Sequence, residues 1–92
     1  MNPLEKLLIC IKKEFPKANL MLDPAKKKDA SWWLDVVHNE RAITIEWKPK
    51  KGFGLWAPSN EFGYGQGPDE IYTDLNEIYD RISILLNKGR GN

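Results

Sequence analysis

The side chains that most often carry covalent chemistry are scarce in this chain. His38 is the only histidine and Cys10 the only cysteine, and their positions suggest no Ser-His-Asp or Cys-His arrangement. His38 falls in a predicted hairpin turn, where a solvated surface role is expected. Cys10 falls beside the apolar stripe of a predicted helix, which is typical of a buried and inert thiol. We therefore expect no catalytic residue, no metal site, no cofactor and no enzymatic activity of the chain alone.

Alternating glycines over residues 63–67 are the other candidate for chemistry, as a loop that could cradle a phosphate. The segment lacks the Lys-Ser/Thr pair of a P-loop. Pro68 removes one backbone donor, and Asp69 and Glu70 place negative charge where an anion would bind. The favoured interpretation is a glycine-rich turn that lets the chain pass close over a sheet.

Length and composition indicate one small globular domain over residues 1–92. Hydrophobic residues make up 41% of the chain and charged residues 29%, and the formal net charge is +1, so the chain is no polycation built for nucleic acid. The lysines concentrate in residues 26–28 and 48–51, whereas carboxylates dominate after residue 60. This asymmetry is consistent with a solvated surface or with a bipolar docking surface that orients a partner.

Two amphipathic helices are predicted, one at each end of the chain. Asn2 can cap the first helix, Pro3 suits its first position, and Glu5 completes a capping box. Apolar residues then recur at helical spacing as far as Phe15, and the following proline predicts a helix over residues 3–14. The second helix is predicted to begin after Thr73 or Asp74 and to stop at Gly89; its apolar stripe is Leu75, Ile78, Tyr79, Ile82, Leu85 and Leu86.

Between the helices, alternating apolar residues predict an antiparallel sheet. Residues 31–37 and 43–48 alternate as a hairpin, residues 53–57 return as a short strand, and residues 19–22 could form a short edge strand. The predicted fold is α+β: a two-layer arrangement with a three- or four-stranded antiparallel sheet and both helices on one face. Its element order is α-β-β-β-(β)-α, which buries both helical stripes and one sheet face together.

The opposite sheet face is the predicted partner-binding surface. Strict alternation places Trp33 and Trp56 there, and tryptophans among charges on an uncovered face are typical of binding hot spots. The alternative is that residues 58–70 fold across and cover the rings. Strands near residues 19–22 and 53–57 could also accept a partner strand, and the open sheet could form a homodimer. The candidate partner-binding residues are Trp33, Lys48, Lys50, Lys51, Phe53, Trp56, Tyr64, Asp69 and Glu70.

The pattern over residues 42–72 resembles a small bacterial family. A hydrophobic strand ends in Glu46-Trp47, a Gly-Phe-Gly strand follows at residues 52–54, and a Gly-x-Gly-Pro-Asp-Glu loop precedes the closing helix. These features are similar to those of small cyanobacterial accessory proteins of radical S-adenosylmethionine peptide spliceases. The resemblance implies a non-catalytic protein that partners the radical enzyme, its ribosomal precursor peptide, or both, while the enzyme cuts a tyramine unit from that peptide.

A generic protein-binding or nucleic-acid-binding regulatory module is the alternative function. The lysine loops and Trp33 or Trp56 could act as stacking platforms for single strands, although the acidic residues from Glu61 onward interrupt a continuous basic track. The longest apolar run, residues 7–11, is too short to span a bilayer, and no leader pattern precedes it. With one cysteine, the chain is expected to be a soluble cytoplasmic domain.

Overall fold

The computed structural model describes residues 2–56, 68 and 70–87. Two helices flank five strands in the order α-β-β-β-β-β-α. The elements are α1 (Pro3–Glu14), β1 (Asn19–Asp23), β2 (Trp32–His38), β3 (Arg41–Lys48), β4 (Gly52–Trp56), β5 (Glu70–Tyr72) and α2 (Leu75–Asn87).

The strands form one antiparallel sheet in the order β1-β2-β3-β4-β5, which confirms the predicted α+β class. The sheet has one strand more than the upper limit predicted, because β5 pairs with β4. Phe53 lies opposite Tyr72, and Leu55 lies opposite Glu70. Three residues give too short an alternation to be recognised as a strand from sequence. β4 is consequently an interior strand, and the prediction that it offers a free edge is wrong.

Both helices pack on the same face of the sheet, as predicted. The inward residues of β2, β3 and β4 meet the apolar stripes of α1 and α2 in one cluster. Burial of these aliphatic side chains is the main favourable contribution to folding. The fully buried members are Leu4, Leu7, Ile11, Leu34, Val36, Ile43, Ile45, Leu55, Ile78, Ile82 and Leu86.

The helix starts follow the sequence signals. The side chain of Asn2 accepts a hydrogen bond from the Glu5 N–H at 2.9 Å, and the Glu5 carboxylate accepts one from the Asn2 N–H at 3.0 Å. This is the predicted capping box. At α2, the Asp74 carboxylate accepts from the Glu77 N–H at 3.1 Å, so Asp74 rather than Thr73 supplies the capping group. The predicted stop at Gly89 lies outside the described residues.

The turn between β2 and β3 carries a residue that is poorly suited to its conformation. Asn39 and Glu40 both have positive φ, at 50° and 68°, as the central residues of a type I′ hairpin turn do. Glycine is favoured at the second position because a Cβ disfavours the left-handed region. We expect Glu40→Gly to raise stability by about 1 kcal/mol, or roughly 4–8 °C in Tm. Thermal unfolding measures it, and Glu40→Ala, which keeps the Cβ, should show no such gain.

Candidate functional site

The sheet face opposite the helices, called here the far face, holds the candidate site. The strand register aligns one row of side chains across it. Asp23, Trp33, Glu46, Gly54 and Ile71 follow one another from β1 to β5. Because directly opposed residues in an antiparallel sheet share a face, this row places an indole, two carboxylates and an exposed aliphatic side chain on one surface.

The two tryptophans predicted on this face do contact each other. The ring centroids of Trp33 and Trp56 are 5.6 Å apart, with an interplanar angle of 34°. Trp33 is half-buried, but Trp56 is only 7% exposed. The prediction that both indoles lie on an uncovered face is therefore wrong for Trp56.

Gly54 explains part of this burial. A methyl group on Gly54 would lie 3.1 Å from Cγ of Pro68 and 3.7 Å from Cζ3 of Trp56. Pro68 and the Trp56 indole thus both border the space that the glycine leaves. Alternation determined which face the indole is on, but it could not show what lies above that face. Pro68 belongs to the segment predicted as a possible cover; the rest of that cover, residues 58–67 and 69, lies outside the described residues.

Beside Pro68 the far face opens into a cleft of about 240 Å³. Two lysines from the β3 end and the β3–β4 turn lie on one side of it, and Ile71 lies on another. Within the part of the chain that the structure describes, the one ion pair joins Arg81 to Glu70, so Lys48 and Lys51 have no carboxylate partner there. The lining residues are Glu46, Lys48, Lys51, Gly52, Phe53, Gly54, Pro68 and Ile71.

Two of the far-face carboxylates, Glu46 and Asp35, accept hydrogen bonds from hydroxyl groups instead of pairing with lysines. The Ser31 hydroxyl donates to Oε2 of Glu46 at 2.5 Å, and the Thr44 hydroxyl donates to Oδ1 of Asp35 at 2.8 Å. Glu46 is thereby oriented without neutralising Lys48. The cleft consequently combines two lysines and one carboxylate with an apolar wall, a net positive lining that suits a carboxylate next to an aliphatic or aromatic group.

Three large apolar side chains are exposed on the far face. They are Met21 at 72%, Ile71 at 67% and Val37 at 42%. Sequence reasoning placed Val37 on this face but missed Met21 and Ile71 as surface candidates. Met21 could have been found from its alternation with Leu20 and Leu22, whereas Ile71 could not, because its strand was not recognised.

Several of the predicted partner-binding residues are buried, lie in a turn or fall outside the described residues. The Phe53 side chain is 2% exposed and belongs to the core, so its ring is not available on the far face; strand alternation points it toward the helices, and Phe53 itself still lines the cleft. Lys50 is exposed in the β3–β4 turn, with φ at 70°. Tyr64 and Asp69 lie outside the described residues.

Glu70 is engaged within the chain rather than presented on the far face. Nε of Arg81 donates to its two carboxylate oxygens at 2.9 and 3.0 Å, and the Tyr72 hydroxyl donates to it as well. The Arg81 hydrogen bond, with a further contribution from Tyr72, lowers the pKa of Glu70 below its ordinary 4.5, against the opposing effect of partial burial. This ion pair ties β5 to α2.

The ion pair predicts a pH-dependent contribution to stability. Because the folded-state pKa of Glu70 is lowered, the contribution is complete above pH 4.5 and is lost as the pH falls through the lowered pKa. Since both side chains are partly exposed, we expect Glu70→Gln to cost about 1 kcal/mol or less at pH 7. Urea unfolding in steps from pH 7 to pH 2 should show this difference closing in acid. Asp80→Asn, an exposed carboxylate on α2, is the control, and a pH-independent difference would contradict the assignment.

The two residues considered for catalysis lie apart from the cleft. The His38 ring packs 5.0 Å from the buried Phe15 ring, near the C-terminus of α1. Cys10 is a half-buried free thiol on α1. In residues 2–56, 68 and 70–87, no three histidine, cysteine or carboxylate side chains gather as ligands for a metal ion.

Fold and site together define a small α+β protein with helices on one sheet face and a partly covered, mixed polar and apolar surface on the other. Comparison of the chain with family models, with characterised proteins and with solved structures found no match. Neither helix in the described ranges is long and apolar enough to cross a membrane.

Proposed function

We propose that this chain is a non-catalytic accessory protein that binds a partner protein through the far-face cleft. The observation that carries the proposal is that two lysines without carboxylate partners among the described residues, Lys48 and Lys51, line one cleft with the exposed side chain of Ile71. The complementary partner surface presents an apolar side chain flanked by carboxylates. Charge of opposite sign would orient the encounter, and the apolar contact would hold the complex.

The Trp33 side chain lies close to this cleft, since Trp33 is directly opposite Glu46 in the sheet. Its indole rests on the buried Trp56 ring, so little side-chain freedom is lost when a partner covers it. Tryptophan is among the residues most often found at the energetic centre of interfaces. The cleft volume, about 240 Å³, is below the roughly 300–1,000 Å³ of drug-sized ligand sites, which favours a protruding side chain of a protein as occupant.

The family resemblance suggests which protein the partner is. The proposed partner is a radical S-adenosylmethionine peptide splicease in the cytoplasm, with or without its ribosomal precursor peptide. The motif that carries the resemblance supplies the cleft itself, since Glu46, Gly52, Gly54 and Pro68 all line it. In this role the small protein contributes binding surface, and the enzyme contributes the iron–sulfur cluster and the chemistry.

Calorimetric titration of the splicease with variants of this chain tests the proposal. We expect Trp33→Ala and the double variant Lys48→Gln/Lys51→Gln each to weaken binding by about 1–3 kcal/mol. The matched control is Lys27→Gln/Lys28→Gln, which removes the same charge from an exposed loop and should bind normally. Unchanged affinity in both test variants would exclude the cleft as the docking site. Salt-resistant retention of single-stranded RNA would instead favour the nucleic-acid alternative.

A further inference from the structure

We infer that β1 is a second binding site, which accepts an extended acidic peptide as an added strand. Among the described strands, β1 lies at the end of the order and pairs with β2 alone. One side of β1 in the described sheet is therefore left with backbone N–H and C=O groups that a strand neighbour would pair. The site is at the opposite end of the sheet from the cleft between β3 and β5, and it does not depend on the function proposed above.

Positive charge flanks both ends of this edge. Residues 12–28 contain six lysines and two carboxylates, a local charge of +4 in a chain whose net charge is +1. The ammonium of Lys12 lies 3.5 Å from the carbonyl of Ala18, just before β1 begins, and Lys26 follows shortly after β1 ends. All six lysines are exposed, and none forms an ion pair in the described part of the chain. They are Lys12, Lys13, Lys17, Lys26, Lys27 and Lys28.

Of the two carboxylates, only Asp23 lies on the edge strand, so the local charge at the edge remains positive. Glu14 accepts hydrogen bonds from the hydroxyls of Tyr79 and Ser83, so it is directed toward α2. Asp23 is the last residue of β1 and lies on the far face, opposite Trp33. A strand added along β1 would therefore have lysines near both of its ends, and an acidic partner fits better than a neutral or basic one.

The side chains of β1 specify the middle of the added strand. Leu20 and Leu22 are half-buried and pack against the core on the helix side, and Met21 is 72% exposed on the far face. An aliphatic residue opposite each leucine would extend the core, and one opposite Met21 would cover it. The fitting partner is thus apolar opposite Leu20, Met21 and Leu22 and acidic beyond the ends of β1.

The same charges disfavour a second copy of this chain as the occupant. Antiparallel pairing of two β1 strands about Met21 would bring Lys17 of one copy beside residues 25 and 26 of the other. The lysine clusters would then face each other at both ends of the shared strands, where like charges repel. Lysines beside an edge strand are a common protection against such self-association.

A fluorescent peptide, Glu-Glu-Thr-Val-Val-Val-Thr-Glu-Glu, is the probe for this site. Fluorescence anisotropy with the full chain should detect binding, and amide hydrogen exchange should show protection at residues 19–23. The same peptide with lysine in place of each glutamate should bind at least about tenfold more weakly. A third peptide, with proline in place of the first two valines, keeps the charge; because adjacent N–H groups point to opposite sides of a strand, it loses an N–H that faces β1 in either register, and it should also lose about tenfold.

Two charge variants locate the site on the protein. Lys27→Gln/Lys28→Gln should weaken the acidic peptide severalfold, whereas Lys48→Gln/Lys51→Gln should leave it unchanged. For splicease docking the expected effects are reversed: Lys48→Gln/Lys51→Gln should weaken binding and Lys27→Gln/Lys28→Gln should not. Each proposal can therefore fail while the other stands. Equal binding of the acidic and basic peptides, protection elsewhere than β1, equal competition by single-stranded DNA, or a β1-protected dimer of the chain would each overturn the inference.

Discussion

Replacing Trp56 by alanine should lower the free energy of unfolding by about 3–5 kcal/mol, as truncation of a buried tryptophan does. Trp56 is 7% exposed, and its indole contacts Trp33 and lies against the space above Gly54. Removing it leaves a cavity under two neighbours that cannot collapse freely. For a domain of this size the expected fall in Tm is more than about 10 °C. Urea and thermal unfolding measure both quantities.

The control for this variant is Trp33→Ala. Trp33 is half-buried on the same face, so its truncation should cost clearly less stability while removing the proposed contact with a partner. If Trp56→Ala were as stable as the parent, the burial of this indole would be refuted. The proposed far-face site would then regain a second exposed ring, and its description would change.

Gly52→Ala should be the most damaging single-methyl change in the described part of the chain. Gly52 has φ at 83°, and a Cβ there would lie 2.6 Å from the carbonyl oxygen of Tyr72. The left-handed conformation costs about 1–2 kcal/mol for a residue with a side chain. The contact adds to this cost because it is made with backbone of β5 and can be relieved only by moving that strand. We expect a total loss of about 3 kcal/mol, or 10 °C or more in Tm.

Lys50 lies in the same turn and provides a control in which the Tm should not fall. It also has positive φ, at 70°, and it is exposed, so Lys50→Gly should keep or raise the Tm. Hydrogen exchange on Gly52→Ala should show lost protection at residues 70–72 before the rest of the sheet. An unchanged Tm in Gly52→Ala would contradict both the dihedral angle and the approach of β5 to the turn.

The two stability predictions bear on the binding proposal. Gly52 and Gly54 line the cleft, and Trp56 supports Trp33 from below. Variants at these positions should therefore alter binding only by disturbing the surface. Trp33, Lys48 and Lys51 are the positions where affinity and stability can be separated.

Helices and strands that are marked by neighbouring residues in the chain were predictable from the amino-acid sequence. The capping box between Asn2 and Glu5 fixed the start of α1, and period-two alternation fixed which face of β2 and β3 turns inward. Hence the α+β class and the single-sided placement of the helices were predictable. The same alternation placed Trp33 and Trp56 on one face.

The cover of the far face depends on contacts between residues that are distant in the sequence. β5 forms because Glu70–Tyr72 finds an edge of β4, and this pairing makes β4 interior. Glu70 is withdrawn from the surface because the fold brings Arg81 of α2 within 2.9 Å. Pro68 lies against Gly54 in the same way, next to the space that the Trp56 ring also borders. Side-chain periodicity gives a residue its direction, but its burial depends on which other segment arrives above it, and that is a property of the assembled sheet.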